Sequence, residues 1–334
     1  MKTGLFCTYD NHHQDAQRAM FEQMAIVRHG EQLGFEEAWI TEHHFSPDQI
    51  SASISVLLAY LAGVTSTIRL GTAAVLLAFH DPVAVAEEMA TLDHLTKGRL
   101  LFGVAKGGPF PEQNRHFGIS MEEARSRTLE ALELIEKLLY HENVSFAGKY
   151  YQCDRLTIQP RPLQPHIPVY IATSDADAIA LAALHSFGIM GGAPFSLEQL
   201  QKNVSRYRAI NSSGSDALVL TRFFFCAKTD EEAIAEALPF LQNFAARMQR
   251  NTAHLQNTGK TQHLHVNGKP GGCFEEQYLL ENAIIGSVQT CGDRIKRLQD
   301  ALPLGTLALK PCSFELQKNL DSMTLYAEAV RPLV

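Results

Sequence analysis

Ile68-Arg69-Leu70-Gly71-Thr72-Ala73-Ala74-Val75-Leu76-Leu77 leads through Ala78-Phe79-His80 into Asp81-Pro82-Val83-Ala84-Val85-Ala86-Glu87-Glu88. The first stretch is a nearly continuous apolar run, the pattern of a strand buried on both faces in a helix-covered parallel sheet. Asp81 reads as an N-cap with proline at the first helical position, and the helix it opens runs to Thr96, ahead of Gly98. Buried strand, short connection and capped helix make one βα unit.

The same unit recurs in both directions. Further apolar runs occupy residues 4–8, 38–41, 100–105, 169–172, 188–191, 218–227 and 304–309. Helical patterns fill the intervals. Residues 15–33 carry Met20, Met24 and Val27 on one face and stop at Gly34. Residues 51–62, 121–141, 175–186, 196–210, 230–249, 290–302 and 319–330 complete the set, with Leu129, Leu132, Ile135 and Leu139 at helical spacing in the 121–141 segment. Eight strands each followed by a helix predict an α/β fold, a (β/α)8 TIM barrel forming a single domain over residues 1–334. A doubly wound sheet is the competitor, but the first strand runs into Thr8-Tyr9-Asp10-Asn11 instead of a G-x-G-x-x-G turn. Two insertions interrupt the repeat. Residues 144–168, after the fourth strand, read as a hairpin and a loop braced by Pro160, Pro162, Pro165 and Pro168; residues 250–276, after the seventh, are polar and glycine-rich, the character of a lid.

Composition narrows the function. The 334 residues are 46% apolar and 19% charged, which excludes a disordered chain. A net charge of −7 without any Lys/Arg run argues against nucleic acid as a partner. No apolar stretch reaches the ~18 residues that span a bilayer, and the first ten residues lack the pattern of a secretory leader. Six cysteines lie far apart without a C-x-x-C, as in a reduced protein, so a cytoplasmic location is expected.

In a barrel of this kind the chemistry sits at the C-terminal strand ends. Glu42-His43-His44-Phe45 follows the second strand, and a histidine there suits acid/base work near neutral pH. Adjacent positions on a strand point apart, so one histidine of the pair is expected to face the centre. Lys106-Gly107-Gly108 follows the fourth strand, and Thr173-Ser174-Asp175-Ala176-Asp177 opens a helix after the fifth. A lysine, a close-approach backbone and hydroxyls at a helix N-terminus suit a phosphate, although Asp175 and Asp177 oppose an anion and an ordinary helix cap is the simpler reading of that turn. Phe6, Phe110 and Phe195 are candidates for the wall of an apolar pocket. A metal centre is not expected. His12-His13 fall past the first strand, His263 and His265 read as a solvated loop, and His80 alone follows the third strand. There is no Gly-x-Ser-x-Gly elbow.

Three stretches give the chain a family resemblance. They are Gly34-Phe35-Glu36-Glu37-Ala38-Trp39-Ile40-Thr41-Glu42-His43-His44-Phe45, Ile68 to Val75, and Asp81-Pro82-Val83 with Ala86-Glu87-Glu88, Thr91-Leu92-Asp93-His94-Leu95 and Lys97-Gly98-Arg99-Leu100 through Gly103. Ile167-Pro168-Val169-Tyr170 and Gly286-Ser287 are fainter echoes. Together these resemble the bacterial luciferase-like flavin monooxygenases. The resemblance implies a (β/α)8 barrel, usually a homodimer with its interface around the second and third helices. It also implies reduced FMN supplied by a separate NAD(P)H-dependent flavin reductase, and O2 adding at flavin C4a to give a peroxide that oxygenates a small-molecule substrate. It places His43, with His44, in the catalytic role. Glu42, Ala73, Ala74, Lys106, Ala172, Thr173 and Ser174 are placed around the cofactor, with a cis peptide between Ala73 and Ala74 against the isoalloxazine ring and Lys106 at the phosphate. Ala105 and Asp177 depart from the luciferase pattern, as do Gly108-Pro109-Phe110-Pro111, which makes light emission doubtful. A deazaflavin (F420)-dependent oxidoreductase on the same barrel and a flavin-binding protein without turnover are the alternatives.

Overall fold

Parallel strands alternating with helices carry the architecture. The computed structural model describes residues 1–108, 110–212, 217–253, 266 and 271–334. Its strands are β1 (Lys2–Cys7), β2 (Glu37–Ile40), β3 (Arg69–Thr72), β4 (Val75–Leu76), β5 (Leu100–Ala105), β6 (Val144–Ala147), β7 (Gln152–Leu156), β8 (Val169–Ala172), β9 (Gly188–Gly191), β10 (Leu218–Ala227), β11 (Ile284–Ser287) and β12 (Leu304–Pro311). The main sheet runs in the order β11-β10-β12-β1-β2-β3-β5-β8-β9, with β9 pairing again to β10. Helices separate successive strands, so this is the strand order of a (β/α)8 barrel, as expected. Antiparallel β6 and β7 form the hairpin expected in the first insertion. Most of the second, residues 250–276, lies outside the described residues, as do His263 and His265.

The chain divides into two compact units, one made of Met1–Cys7, Met20–Glu37 and Thr173–Val334, the other of Thr8–Ala19 and Ala38–Ala172. In the second unit Trp39 is fully buried with Tyr170 edge-on at 5.0 Å between ring centroids. Gly71 on β3 makes room for it, because a Cβ there would come within 2.4 Å of the Trp39 ring. The helix Pro82–Leu95 begins where its sequence says: Asp81 accepts from the N–H groups of Val83 and Ala84 at 2.9 and 3.1 Å. Such a cap is worth about 1 kcal/mol. Buried Asp93 on the same helix takes the Gln164 backbone N–H and side-chain amide, each at 2.7 Å, and so ties down the proline-braced loop.

In the first unit β10 is the hub, in parallel register with β9, β11 and β12. The helix Asp230–Thr252 lays Ala233, Ala237, Phe240 and Leu241 against Phe223, Phe225 and Ile285. Glu37 is buried there but partnered, by Lys2 at 3.0 Å and by the Thr306 hydroxyl at 2.9 Å.

Three local readings are corrected. Residues 68–77 do not form one strand: the run breaks at a cis Ala73-Ala74 peptide into β3 and β4, and a 3-10 turn over Leu77–Phe79 follows. The short β11, whose last residue Ser287 caps the next helix, is an additional strand. A helix at Pro111–Phe117 precedes the one that begins at Ala124, where a single helix from 121 is expected. Among the described residues no helix is long and apolar enough to cross a membrane. All six cysteines are free thiols.

Candidate active site

The end of β2 and the β3–β4 turn are fastened to each other. The Ala73 N–H donates to the Ile40 carbonyl at 2.6 Å, and the Leu76 N–H donates to the Glu42 carboxylate at 3.0 Å. The Ala73-Ala74 peptide is cis, and these bonds place it beside the Glu42-His43-His44 run. Ala73 is partly exposed and Ala74 buried, so this turn presents backbone with little side chain over it.

Glu42 organises the run. Its side chain is fully buried, and one carboxylate oxygen accepts from both His44 Nε2 at 2.6 Å and His80 Nε2 at 2.7 Å, while the other accepts from Leu76. Burial alone would raise the carboxyl, but the hydrogen bonds from His44 and His80 and the charge of His80 outweigh it and hold Glu42 at about 2. Burial pulls His80 the other way, but the Glu42 bond and the charges of Glu42 and Glu88 lift it above its ordinary value. Both rings thus have Nε2–H turned to one anion, which fixes their tautomers and planes.

The two adjacent histidines do part company. His44 is spent on Glu42 and lies edge-on to Phe117 at 4.9 Å between centroids. His43 faces elsewhere, with its ring 6.3 Å from that of Phe110 at 85° and its backbone N–H on the Ser51 carbonyl at 3.3 Å. Phe117 in turn stacks on Phe79 at 5.0 Å and meets Phe45 at 5.6 Å. The short helix that supplies Phe117 and the turn that supplies Phe79 make an aromatic surround for the histidines. His80 and Phe117 enter this cluster without a local sequence signal. His80 stands 38 positions from Glu42, and only its place just before the Asp81 cap marks it.

Lys106, Gly107 and Gly108 follow β5, all partly buried. Gly107 has φ +93°, and a Cβ on it would sit 3.1 Å from the Phe79 ring, so a glycine is required there on both counts. β5 and β8 are paired in parallel, with Val104 opposite Ile171. Lys106 and Thr173 therefore follow the ends of neighbouring strands. Ala172 closes β8, and its side chain is half-buried.

In the other unit Thr173 and Ser174 are half-buried before the helix Ala176–Leu184. The Asp175 carboxylate already caps that helix, from the N–H groups of Asp177 and Ala178, and the Thr173 hydroxyl accepts from the Asp175 N–H at 3.0 Å. The helix N-terminus is thus committed to its own cap. What remains for a phosphate is the hydroxyl donors, with exposed Asp177 nearby in sequence. Arg222 on β10 is a further residue that sequence reasoning missed. Its buried guanidinium donates to the carbonyls of Ala193 and Phe195 at 3.1 and 3.0 Å and shapes the turn after β9. Phe195 itself packs on the buried pair Cys273 and Phe274.

Within the unit that holds Glu42, the side-chain-poor turn at Ala73-Ala74 suits a flavin ring and the lysine after β5 suits a phosphate charge. In the other unit, the helix terminus after Ser174 is already capped, and its hydroxyls remain as donors.

Comparison with known proteins identifies the family. The sequence profile described as luciferase-like monooxygenase matches residues 1–304. Limonene 1,2-monooxygenase of Rhodococcus erythropolis is 29% identical over 70% of this chain and 63% of its own length. The oxygenase component of the flavin-dependent trigonelline monooxygenase of Acinetobacter baylyi is 26% identical over 85% of this chain and 81% of its own. Among solved structures, the monooxygenase RslO1 of Streptomyces bottropensis superposes with a TM-score of 0.84 at 24% identity, covering 99% of both chains. The oxygenating constituent of 3,6-diketocamphane monooxygenase from Pseudomonas putida, in complex with FMN, superposes with a TM-score of 0.81 at 18% identity, covering 99% of this chain and 98% of that one. At these identities the two superpositions establish the fold.

Proposed function

The chain belongs to the luciferase-like monooxygenase family, and from that premise we propose that it is the oxygenase of a two-component system, taking reduced FMN from a separate NAD(P)H-dependent flavin reductase and using O2 to oxygenate a small organic substrate. The observation that carries this reading is the fastening of the Glu42-His43-His44 run to the cis Ala73-Ala74 turn by the 2.6 Å bond from Ala73 to Ile40. It joins a histidine to a turn that carries little side chain, where a planar ring could be held.

Bound reduced FMN would supply the two electrons that let O2 deliver one oxygen atom to substrate. The chain's own residues supply the rest. Ala73 and Ala74 would hold the ring, their turn kept in place by Glu42 through Leu76, with Ala172 at the end of β8. Lys106 takes the phosphate charge from its unit, and Thr173 and Ser174 offer hydroxyl donors from theirs. His43 is the catalytic acid/base, moving a proton at a ring nitrogen. His44, pinned by Glu42, fixes the loop that aims it, and Phe79, Phe110 and Phe117 keep water away. The assembly is proposed as a cytoplasmic homodimer, in line with the exposed Val56 and Tyr60 on the helix Ile54–Val64 and Leu95 at the end of Pro82–Leu95.

The test pairs two variants. His43→Asn keeps reduced-FMN affinity but loses most of the product formed per FMN oxidised; an unchanged yield removes His43 from the mechanism. Lys106→Ala weakens FMN by about tenfold and leaves riboflavin alone, since only FMN carries the phosphate; equal losses place Lys106 elsewhere. Binding of a deazaflavin in preference to FMN would replace the oxygenase reading with hydride transfer on the same barrel.

A further inference from the structure

Sequence spacing gives no reason to expect a metal, because no two strand ends offer a ligand pattern. The fold changes this by bringing His80 onto Glu42 beside His44. One carboxylate oxygen and two imidazole nitrogens lie within 4.8 Å of one another. We propose that Glu42, His44 and His80 form a binding site for a divalent metal ion of the zinc class.

Two imidazoles and one carboxylate are the three-ligand set that zinc takes when its fourth position stays open to solvent. Mixed nitrogen and oxygen donors favour zinc, cobalt or nickel over calcium and magnesium, which want oxygen alone. Each ligand is anchored separately. The Leu76 N–H holds the far oxygen of Glu42 at 3.0 Å, Phe117 holds the plane of His44, and the His80 backbone N–H bonds the Leu77 carbonyl at 3.3 Å just before the helix cap. Three anchors on two segments leave little freedom to lose when an ion binds.

Access is graded. The Glu42 side chain is fully buried, that of His44 is 11% exposed and that of His80 33%, so an ion reaches the carboxylate along the His80 side. The nitrogens now stand 2.6 and 2.7 Å from Glu42 because protons lie between them. Tetrahedral zinc ligands sit about 3.3 Å apart, given metal–ligand bonds near 2.0–2.1 Å. Binding therefore asks each Glu42–nitrogen pair to open by about 0.6–0.7 Å, with each imidazole carrying its proton on Nδ1 instead of Nε2. The metal-binding claim is independent of the flavin reading. Its consequence, that an ion takes Glu42 and His44 out of their mutual hydrogen bond and so disturbs the loop that aims His43, rests on that reading.

Cobalt(II) is the probe. The full chain, freed of metals with a chelator, is titrated with Co2+ and then with Zn2+. One equivalent of Co2+ gives the intense visible bands of a four-coordinate site, and Zn2+ abolishes them. His80→Gln keeps a hydrogen-bond donor toward Glu42 and unfolds like the wild type, yet weakens Zn2+ by more than about 100-fold, beyond the cost of losing an outer-shell partner. His44→Gln does the same, whereas the double variant His12→Gln/His13→Gln binds as wild type does. Absence of the bands, or bands that survive in His80→Gln and His44→Gln, overturns the site. If FMN fails to bind but the Co2+ bands appear and fall with His80, the metal site stands and the flavin reading falls.

Discussion

Glu42, which is buried, and Glu136, which is half-buried, are two carboxyls in the same structural unit, and they are shifted in opposite senses. Glu42 meets two imidazole N–H groups and a backbone N–H and is held at about 2. Glu136, on the helix Ala124–Tyr140, has a buried carboxylate oxygen with no partner, and burial pushes it up to about 7. Loss of water acts on both; what differs is the donors that replace it. An acid on an amphipathic helix and an acid at a strand end look alike in sequence. Only the second has been given a function's worth of hydrogen bonds.

Removing the donors' target breaks the comparison most severely. Glu42→Leu leaves His44, His80 and the Leu76 N–H facing an apolar side chain, and is expected to destabilise the chain by about 3–5 kcal/mol in urea unfolding. A loss below about 1 kcal/mol would mean that the three bonds contribute little. The opposite sign is expected of Glu136→Gln. The folded-state value near 7 stands above the ordinary 4.5, so the wild type is favoured fully only below pH 4.5 and loses that contribution as the pH rises through 7. At pH 8 the glutamine variant should therefore be more stable by about 2 kcal/mol, discounting the full shift for partial solvent access, and at pH 4 it should match the wild type. Equal curves at both pH values would show that Glu136 finds a partner in solution.

Smaller changes test the donors of Glu42 one at a time. His80→Ala strips one donor from Glu42 and should cost about 1–2 kcal/mol, most of it restored in His80→Gln. Identical stabilities for the two would mean that packing of the ring, not its N–H, is what Glu42 needs. Asp81→Ala removes the cap of the helix that follows His80 and should cost about 1 kcal/mol without altering FMN affinity.

The barrel was legible because its signals are local. Continuous apolar runs marked β5, β8, β9 and β10, and Asp81-Pro82 marked a helix start to the residue. The hairpin of β6 and β7 showed in its glycine and aromatic residues. The cis turn at Ala73-Ala74 was legible only through family resemblance, since two alanines within an apolar run look like more strand. β11 escaped because four residues ending in a helix cap carry almost no periodicity. At the site, Glu42, His43 and His44 stood out as a motif, but the division of labour between the histidines did not. His44 bonds Glu42 two positions away, and His80, 38 positions from Glu42, completes the network; that second pairing is decided by strand order, not by spacing.

As an oxygenase, this chain must bind reduced FMN and let it react there with oxygen. The direct measurement is an anaerobic titration with reduced FMN, followed by rapid mixing with O2 while the absorbance spectrum is recorded. Saturable binding, then a transient band distinct from those of reduced and fully oxidised FMN and longer-lived in wild type than in His43→Asn, is the predicted result. Reduced FMN that stays free, or that oxidises at the rate seen without protein, would contradict it.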